Sequence, residues 1–168
     1  SAEVGRFGTP ESTGEVDWLA GASRMIRRSV LEQIGLFDES FFLYFEETDL
    51  CHRARGAGWK IVYVKESSVA HVGSASTGMK TWKKVPEYWF DSRRHYFLKN
   101  HGPAYTLAAT TSRVLGSAVW QVRRRLQSKA DEDPPGFLPG LLRHSSKHAL
   151  LRFFGGVRRA VAPPGDDD

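Results

Sequence analysis

The chain has 168 residues, of which 40% are hydrophobic, 12% aromatic and 26% charged. This composition excludes an intrinsically disordered chain, and the length allows one domain with a hydrophobic core. The formal net charge is +5, and basic residues become more frequent after Lys80. This excess of positive charge in the second half of the chain indicates an anionic partner. The single cysteine, Cys51, excludes an internal disulfide bond and favours a reducing compartment, the cytoplasm.

The first half of the chain predicts short alternating elements. Residues 1–16 are rich in Gly, Ser, Thr and Pro and predict a flexible N-terminal segment. The alternation around Ser23–Ile26 predicts a strand. Ser29 and Glu32 have the spacing of a capping box, which predicts a short helix that ends at Gly35.

A second helix is predicted from the acidic residues Glu47–Asp49 to Gly58. The segments "KIVYVK" and "SVAHV" then predict two strands. Strand, two helices and two strands in this order predict half of an α/β layer, with the acidic turn at the end of a connection.

The character of the sequence changes at residue 81. Residues 81–129 predict a helical extension, with one helix from near Pro86 to Gly102 and a second, amphipathic helix after it. Residues 130–168 begin with "ADEDPPGFLPG", which predicts a Pro-rich linker, and the residues after it predict a basic amphipathic tail.

The acidic turn "FFLYFEETDL" is the main candidate for chemistry. At a helix N-terminus the free amides favour ionised carboxylates, while neighbouring negative charges oppose ionisation, so a carboxylate there could act as a general base. The aromatic residues before it could form the walls of a sugar-binding cleft. The alternative is that Glu46, Glu47 and Asp49 only cap a helix.

The continuous stretch from Val16 to Thr77 resembles the acceptor-side half of a family 2 glycosyltransferase of the GT-A fold, in the rhamnosyltransferase-like group. Residues 17–80 would form this half-domain, and the fold class implied is a partial α/β GT-A fold followed by amphipathic helices. The segment "GLFDESFFLYFEETDL" corresponds to the family's Gly-Phe-Asp-Glu segment and its acidic signature.

The resemblance implies a role for each candidate residue. Glu47 takes the position of the catalytic base in an inverting sugar transfer, where the family more often has Asp, and Asp49 is the reserve candidate. His71 takes the position of a ligand to a divalent metal, Mn²⁺ or Mg²⁺, that bridges the donor diphosphate. The residues implied to border the acceptor pocket are Trp18, Gly21, Ala22, Phe45 and Glu46.

The implied partners are a nucleotide-sugar donor and a saccharide or lipid-linked acceptor in polysaccharide or glycolipid synthesis. A GT-A enzyme also needs a nucleotide-binding half with an Asp-x-Asp motif, which residues 1–16 do not supply. The expectation is therefore that this chain is a C-terminal portion and inactive by itself.

Trp120 beside Arg123–Arg125 is typical of a helix lying at an anionic membrane surface, so we expect a peripheral protein at the inner face of the cell membrane. The same helix face could instead pack on protein. The alternative function is a non-catalytic carbohydrate- or membrane-surface-binding module. Nucleic-acid binding is ranked last, because the basic cluster follows an apolar helix face and no recognised motif is present.

Overall fold

The computed structural model describes residues 10–69, 82–128 and 133–160. In chain order the elements are β1 (Gly14–Val16), α1 (Arg28–Ile34), α2 (Glu46–Gly56), β2 (Ile61–Tyr63), α3 (Glu87–Leu126) and α4 (Phe137–Ala160). The two strands pair antiparallel, with Glu15 opposite Val62. This small sheet and the short helices are consistent with part of an α/β domain, as the sequence predicts.

Three sequence predictions are confirmed in this region. The helix α1 ends at Gly35, whose φ of 82° lies in the left-handed region that glycine tolerates best. The helix α2 carries acidic residues in its first turn and Arg53 and Arg55 in its last, which complements the helix dipole. The segment "KIVYVK" contains β2.

Two other predictions in this region are wrong, and a third is not tested by the described residues. Ser23–Ile26 is not a strand, because no described segment offers it a hydrogen-bonded neighbour, and residues 14–16 of the predicted loop form β1 instead. The capping box at Ser29 does not form, since the residue that precedes α1 is Arg27 and it makes no side-chain cap. The predicted strand "SVAHV" lies mostly outside the described residues.

The long helix α3 changes direction at Gly102, which has φ 79° and ψ 177°. Pro103 follows and begins the second half of α3, because proline lacks the N–H that a first-turn residue does not need. The break therefore falls where the sequence predicts it. The helix α4 begins at Phe137, so the end of the predicted Pro-rich linker is helical.

The main hydrophobic core lies where the first half of α3 packs against α4. Its buried residues are Val85, Trp89, Phe90, Phe137 and Leu141. Tyr44 and Phe45, which precede α2, pack against the same core. The core thus connects the acidic turn to the C-terminal helices. No helix in the described part of the chain combines the length and hydropathy needed to cross a bilayer.

The contact between α3 and α4 predicts opposite effects for two glycine substitutions. A Cβ at Gly140 would lie 2.9 Å from the ring of Phe90, which is only 3% exposed, so Gly140→Ala should destabilise the fold by about 1–3 kcal/mol. Gly116 in α3 has open space at its Cβ position, so Gly116→Ala should stabilise by about 0.5–1 kcal/mol through helix propensity. Urea unfolding measures both, and similar changes in the two variants would contradict this packing.

Candidate active site

The acidic turn is held by an unusual backbone conformation. Tyr44 and Phe45, directly before α2, have φ values of 69° and 68°. This left-handed conformation costs a bulky residue roughly 1–2 kcal/mol. Neither residue is a glycine, so the surrounding structure must impose the conformation. Strain of this kind concentrates at functional sites.

Aromatic packing on α3 offsets this strain. The Phe45 ring lies 5.5 Å from that of Trp89 and 5.8 Å from that of Tyr96, measured between centroids. Tyr44 stacks on Tyr88 at 6.3 Å. The Ser92 hydroxyl on α3 also donates a hydrogen bond of 2.9 Å to the carbonyl of Leu43. The turn is therefore fixed against the first half of α3.

Asp49 is the most constrained of the acidic residues. Its side chain is fully buried. Its carboxylate accepts hydrogen bonds from Arg53 Nε at 2.8 Å, Lys99 Nζ at 2.9 Å and Asn100 Nδ2 at 2.9 Å. Burial opposes ionisation, but these three donors outweigh it and lower the pKa of Asp49. Asp49 thus joins α2 to α3 as an ionised carboxylate at neutral pH.

The network continues to Asp38, in the segment before the aromatic run. Lys99 bridges the two acids, since its Nζ also lies 2.8 Å from Asp38 Oδ2. His95 Nε2 lies 3.1 Å from the same oxygen. Lys99, and then His95, hold the pKa of Asp38 well below its ordinary value of 3.8. The segment that leads into the aromatic run is therefore anchored to α3 by charge.

Arg53 extends the network to the end of α1. Its guanidinium donates hydrogen bonds to the carbonyls of Ile34 at 2.6 Å and Leu36 at 2.8 Å. The carbonyl of Ile34 ends α1 and that of Leu36 follows two residues later, and a cation at this end of the helix is favoured by the helix dipole. One buried carboxylate and its donors thus connect α1, α2 and α3.

Glu46 and Glu47 lie in a different environment from Asp49. Both side chains are half-buried, and neither takes part in the hydrogen bonds of Asp49. Glu46 Oε2 is buried and has no hydrogen-bond partner among the described residues. Burial raises the pKa of Glu46, and the adjacent Glu47 charge adds to the effect. A buried carboxylate oxygen without a donor in a folded chain is explained by a bound water, an ion or a ligand group.

The predicted acceptor segment approaches this carboxylate through Arg24. Arg24 Nη2 donates a 2.6 Å hydrogen bond to the carbonyl of Leu19, and its charge acts on Glu46 to lower the pKa against the effect of burial. Trp18 Nε1 in the same segment is buried without a partner among the described residues. Gly21 and Ala22 are exposed. Leu19 and Arg24 line one cavity together with Leu50 and Cys51 of α2, so the structure brings this segment close to that helix.

The aromatic run divides between core and surface. Phe41 is buried and packs edge-on to His95 at 4.7 Å, and Phe45 belongs to the packing on α3. Phe42 is 78% exposed and lies edge-on to Tyr88 at 5.4 Å. Phe42 therefore exposes most of its ring to solvent, four residues before Glu46. His71, the predicted metal ligand, lies outside the described residues.

Sequence reasoning missed the partners that α3 contributes. Lys99 and Asn100 lie 50 and 51 positions after Asp49, so no local pattern connects them. The sequence shows only that a cation and an amide, Lys99 and Asn100, are adjacent near the end of a predicted helix. Many solvent-exposed helices have such a pair, so the pattern does not predict a contact with Asp49.

The Asp49 network predicts a stability effect that depends on pH. Asp49→Asn should destabilise the fold by about 3 kcal/mol at neutral pH, because Lys99 and Arg53 lose their shared buried partner. Since the folded-state pKa is lowered, the stabilisation is present above the ordinary pKa of 3.8 and lost as pH falls through the folded value. The free energy of unfolding of Asp49→Asn should therefore fall less than that of the wild type as the pH is lowered.

Urea unfolding between neutral and acidic pH measures this effect. The matched control is Glu32→Gln, which removes a largely exposed i,i+4 pair with Arg28 and should change stability by about 0.5 kcal/mol or less. An Asp49→Asn variant as stable as this control at neutral pH would contradict the role given to the network.

A family model described as "Glycosyltransferase like family 2" matches residues 6–96, which is more than half of the chain. The match includes the strained turn, the acidic residues and the start of α3. It thus covers the network around Asp49 as far as His95. No solved structure matches the chain.

Three relatives match shorter stretches. An N-acetylglucosaminyl-diphospho-decaprenol L-rhamnosyltransferase from Mycobacterium tuberculosis is 46% identical over 63 residues, 38% of this chain and 20% of that protein. The low-salt glycan biosynthesis hexosyltransferase Agl10 from Haloferax volcanii is 55% identical over 40 residues, 24% of this chain and 13% of that protein. The rhamnosyltransferase WbbL from Escherichia coli is 38% identical over 56 residues, 33% of this chain and 21% of that protein.

The matched region spans about a fifth of the length of the two rhamnosyltransferases and less of the hexosyltransferase. Two of the three names describe transfer of rhamnose, in agreement with the resemblance found in the sequence. Taken with the family match, the chain belongs to glycosyltransferase-like family 2 and is rhamnosyltransferase-like.

Proposed function

We propose that this chain supplies the acceptor side of an inverting glycosyltransferase, which moves a sugar from a nucleotide-sugar donor to a saccharide or lipid-linked acceptor. The observation that carries the proposal is the strained aromatic turn, which leaves Glu46 and Glu47 outside the network that holds Asp49. The name of the Mycobacterium tuberculosis relative supports a lipid-diphosphate-linked acceptor. Rhamnose is the sugar that the relatives favour.

Glu47 is the proposed base. It would take the proton from the acceptor hydroxyl while the hydroxyl oxygen forms a bond to the anomeric carbon of the donor sugar. The bond from that carbon to the nucleoside diphosphate breaks in the same step, so the anomeric centre inverts. Glu47 fits because it lies on the first turn of α2, where free backbone amides favour an ionised carboxylate.

The other two acids have supporting roles in this proposal. Glu46, with its raised pKa and unpartnered Oε2, would form a hydrogen bond to an acceptor hydroxyl. Asp49 has no free lone pair directed at solvent, since its side chain is fully buried among three donors. It is therefore a positioning residue that fixes the first turn of α2.

The walls of the acceptor site are assigned from exposure. Phe42 offers its exposed ring to the apolar face of a sugar. Phe45 shapes the turn through its packing on α3. Trp18, with a buried and unpartnered indole N–H, would donate a hydrogen bond to the acceptor, and Gly21 and Ala22 would let it approach the backbone.

Transfer would also need a nucleotide-binding half, and we propose that this chain is inactive without one. The small share of each relative that the chain matches supports this view. His71 remains the proposed ligand of a divalent metal at the donor diphosphate. Such a metal would neutralise the charge of the leaving group.

The second half of α3 suggests how the protein binds the membrane surface at which a lipid-linked acceptor lies. Leu115, Val119, Val122 and Leu126 are spaced by four, three and four residues and are each at least 60% exposed. Arg123, Arg124 and Arg125 lie at the same end of the helix. An apolar stripe with adjacent cations fits an anionic membrane surface, so we propose peripheral binding at the cytoplasmic face.

Glu47→Gln tests the base assignment in an enzyme that contains this chain together with a nucleotide-binding half. Turnover should fall by about 10²–10⁴-fold, because the neutral amide cannot accept the proton, while donor affinity stays nearly unchanged. Glu46→Gln should mainly raise the KM for the acceptor. Glu32→Gln, an exposed glutamate of α1 outside the acidic turn, is the matched control and should leave both constants unchanged.

The measurements are initial transfer rates and donor titration with each variant. Turnover of Glu47→Gln close to the wild-type value would contradict the base assignment. Loss of binding to both donor and acceptor would point to a structural role instead. Acceptor binding by the chain alone, with no transfer in the complete enzyme, would favour the non-catalytic binding module.

Membrane binding is tested with the double variant Arg123→Gln/Arg125→Gln. Each basic residue near an anionic surface contributes about 1 kcal/mol, so affinity for vesicles with phosphatidylglycerol should fall by roughly tenfold or more. The control Arg27→Gln/Arg28→Gln removes two adjacent exposed cations elsewhere. Vesicle co-sedimentation measures both, and equal losses, or no binding by the wild type, would contradict a specific contact by α3.

A further inference from the structure

Two histidines of α4 and one carboxylate of α3 converge between these helices. His144 and His148 are one helical turn apart, so their side chains lie on the same face. Nε2 of His144 lies 2.8 Å from Asp91 Oδ1, and Nε2 of His148 lies 3.6 Å from the same oxygen. The ligand atoms of all three residues lie within 4.8 Å of one another. We propose that Asp91, His144 and His148 bind one Zn²⁺ ion that joins α4 to α3.

The distances from Asp91 to the two histidines can be compared with those of a zinc site. Ligands at about 2.0–2.1 Å from a tetrahedral zinc lie roughly 3.3–3.4 Å from one another. The His148–Asp91 distance of 3.6 Å is close to this value. The His144–Asp91 hydrogen bond of 2.8 Å must lengthen by roughly half an ångström when the metal replaces the shared proton. Asp91 is 56% exposed, so its carboxylate can rotate to allow this.

One ligand of the site is held in place by the packing of the two helices. His144 is buried against the Phe90 ring, which fixes its orientation. Its Nε2 already points at Asp91 Oδ1.

The ligand set selects the ion. Two imidazoles and one carboxylate form a nitrogen-rich set that suits Zn²⁺, whereas Mg²⁺ and Ca²⁺ prefer oxygen ligands. Three protein ligands leave a fourth position for water or a small anion. A cavity of about 150 Å³ lies beside the cluster and is lined by both histidines together with Arg93 and Arg94. The fourth ligand has room there, next to positive charge.

The metal would have a structural effect, because it adds a bond between helices that otherwise meet through the core around Phe90 and Leu141. An ion that binds the folded chain and not the unfolded one stabilises the folded state, and the stabilisation grows with the logarithm of the free ion concentration once this exceeds the Kd. Zinc should therefore raise the melting temperature of the chain. This effect does not depend on sugar transfer, so it can be measured independently of the proposed activity.

The test uses the tag-free chain, stripped with a chelator and then titrated with Zn²⁺ by calorimetry, with thermal unfolding as a second measurement. We expect one zinc per chain and a higher melting temperature. Asp91→Asn and His148→Ala should each weaken zinc binding by roughly tenfold or more. Both residues are at least partly exposed, so these variants should fold, whereas the buried His144 is left intact.

The matched control is His52→Ala, which removes an exposed histidine of α2 outside the cluster and should leave zinc binding unchanged. Failure of the wild-type chain to bind one zinc would overturn the proposal. It would also be overturned by zinc binding that Asp91→Asn and His148→Ala leave unchanged. An equal loss in His52→Ala would place the metal elsewhere and have the same consequence.

Discussion

The buried carboxylate of Asp49 is the interaction on which the rest of the site depends. An ionised group removed from water is stable only if donors replace the water, and here Arg53, Lys99 and Asn100 do so. Arg53 lies on α2 and contacts the end of α1, while Lys99 and Asn100 lie on α3, so satisfying one charge fixes α1, α2 and α3 relative to one another. The first turn of α2 therefore has a defined position even though Tyr44 and Phe45 strain its entrance.

This arrangement separates three neighbouring acids by environment. Asp49 is neutralised by its donors and serves the fold, while Glu46 keeps a buried oxygen without a donor and a raised pKa. Glu47 lies between them in sequence and outside the Asp49 network. Neighbouring carboxylates thus differ in their ionisation, because burial favours the neutral form of one and hydrogen-bond donors favour the charged form of another.

The sequence predicts those parts of the molecule that local rules determine. Gly35 ends α1, the charges of α2 follow its dipole, and Gly102 with Pro103 interrupts α3. Features that depend on residues far apart in the sequence could not be predicted. The alternation of Ser23–Ile26 indicates a strand only if a neighbouring strand exists. The partners of Asp49 on α3 lie about fifty positions away. The i,i+4 pair His144 and His148 was visible in the sequence, but Asp91 joins it only through the packing of α3 on α4.

The central claim is that a carboxylate at the start of α2 deprotonates an acceptor hydroxyl that displaces the nucleotide directly. The most direct measurement is the anomeric configuration of the product, determined by NMR from the one-bond carbon–proton coupling at the transferred sugar, compared with that of the donor. A single displacement assisted by Glu47 predicts inversion. Retention of configuration would contradict the account, because it requires a different mechanism from a base acting on the acceptor.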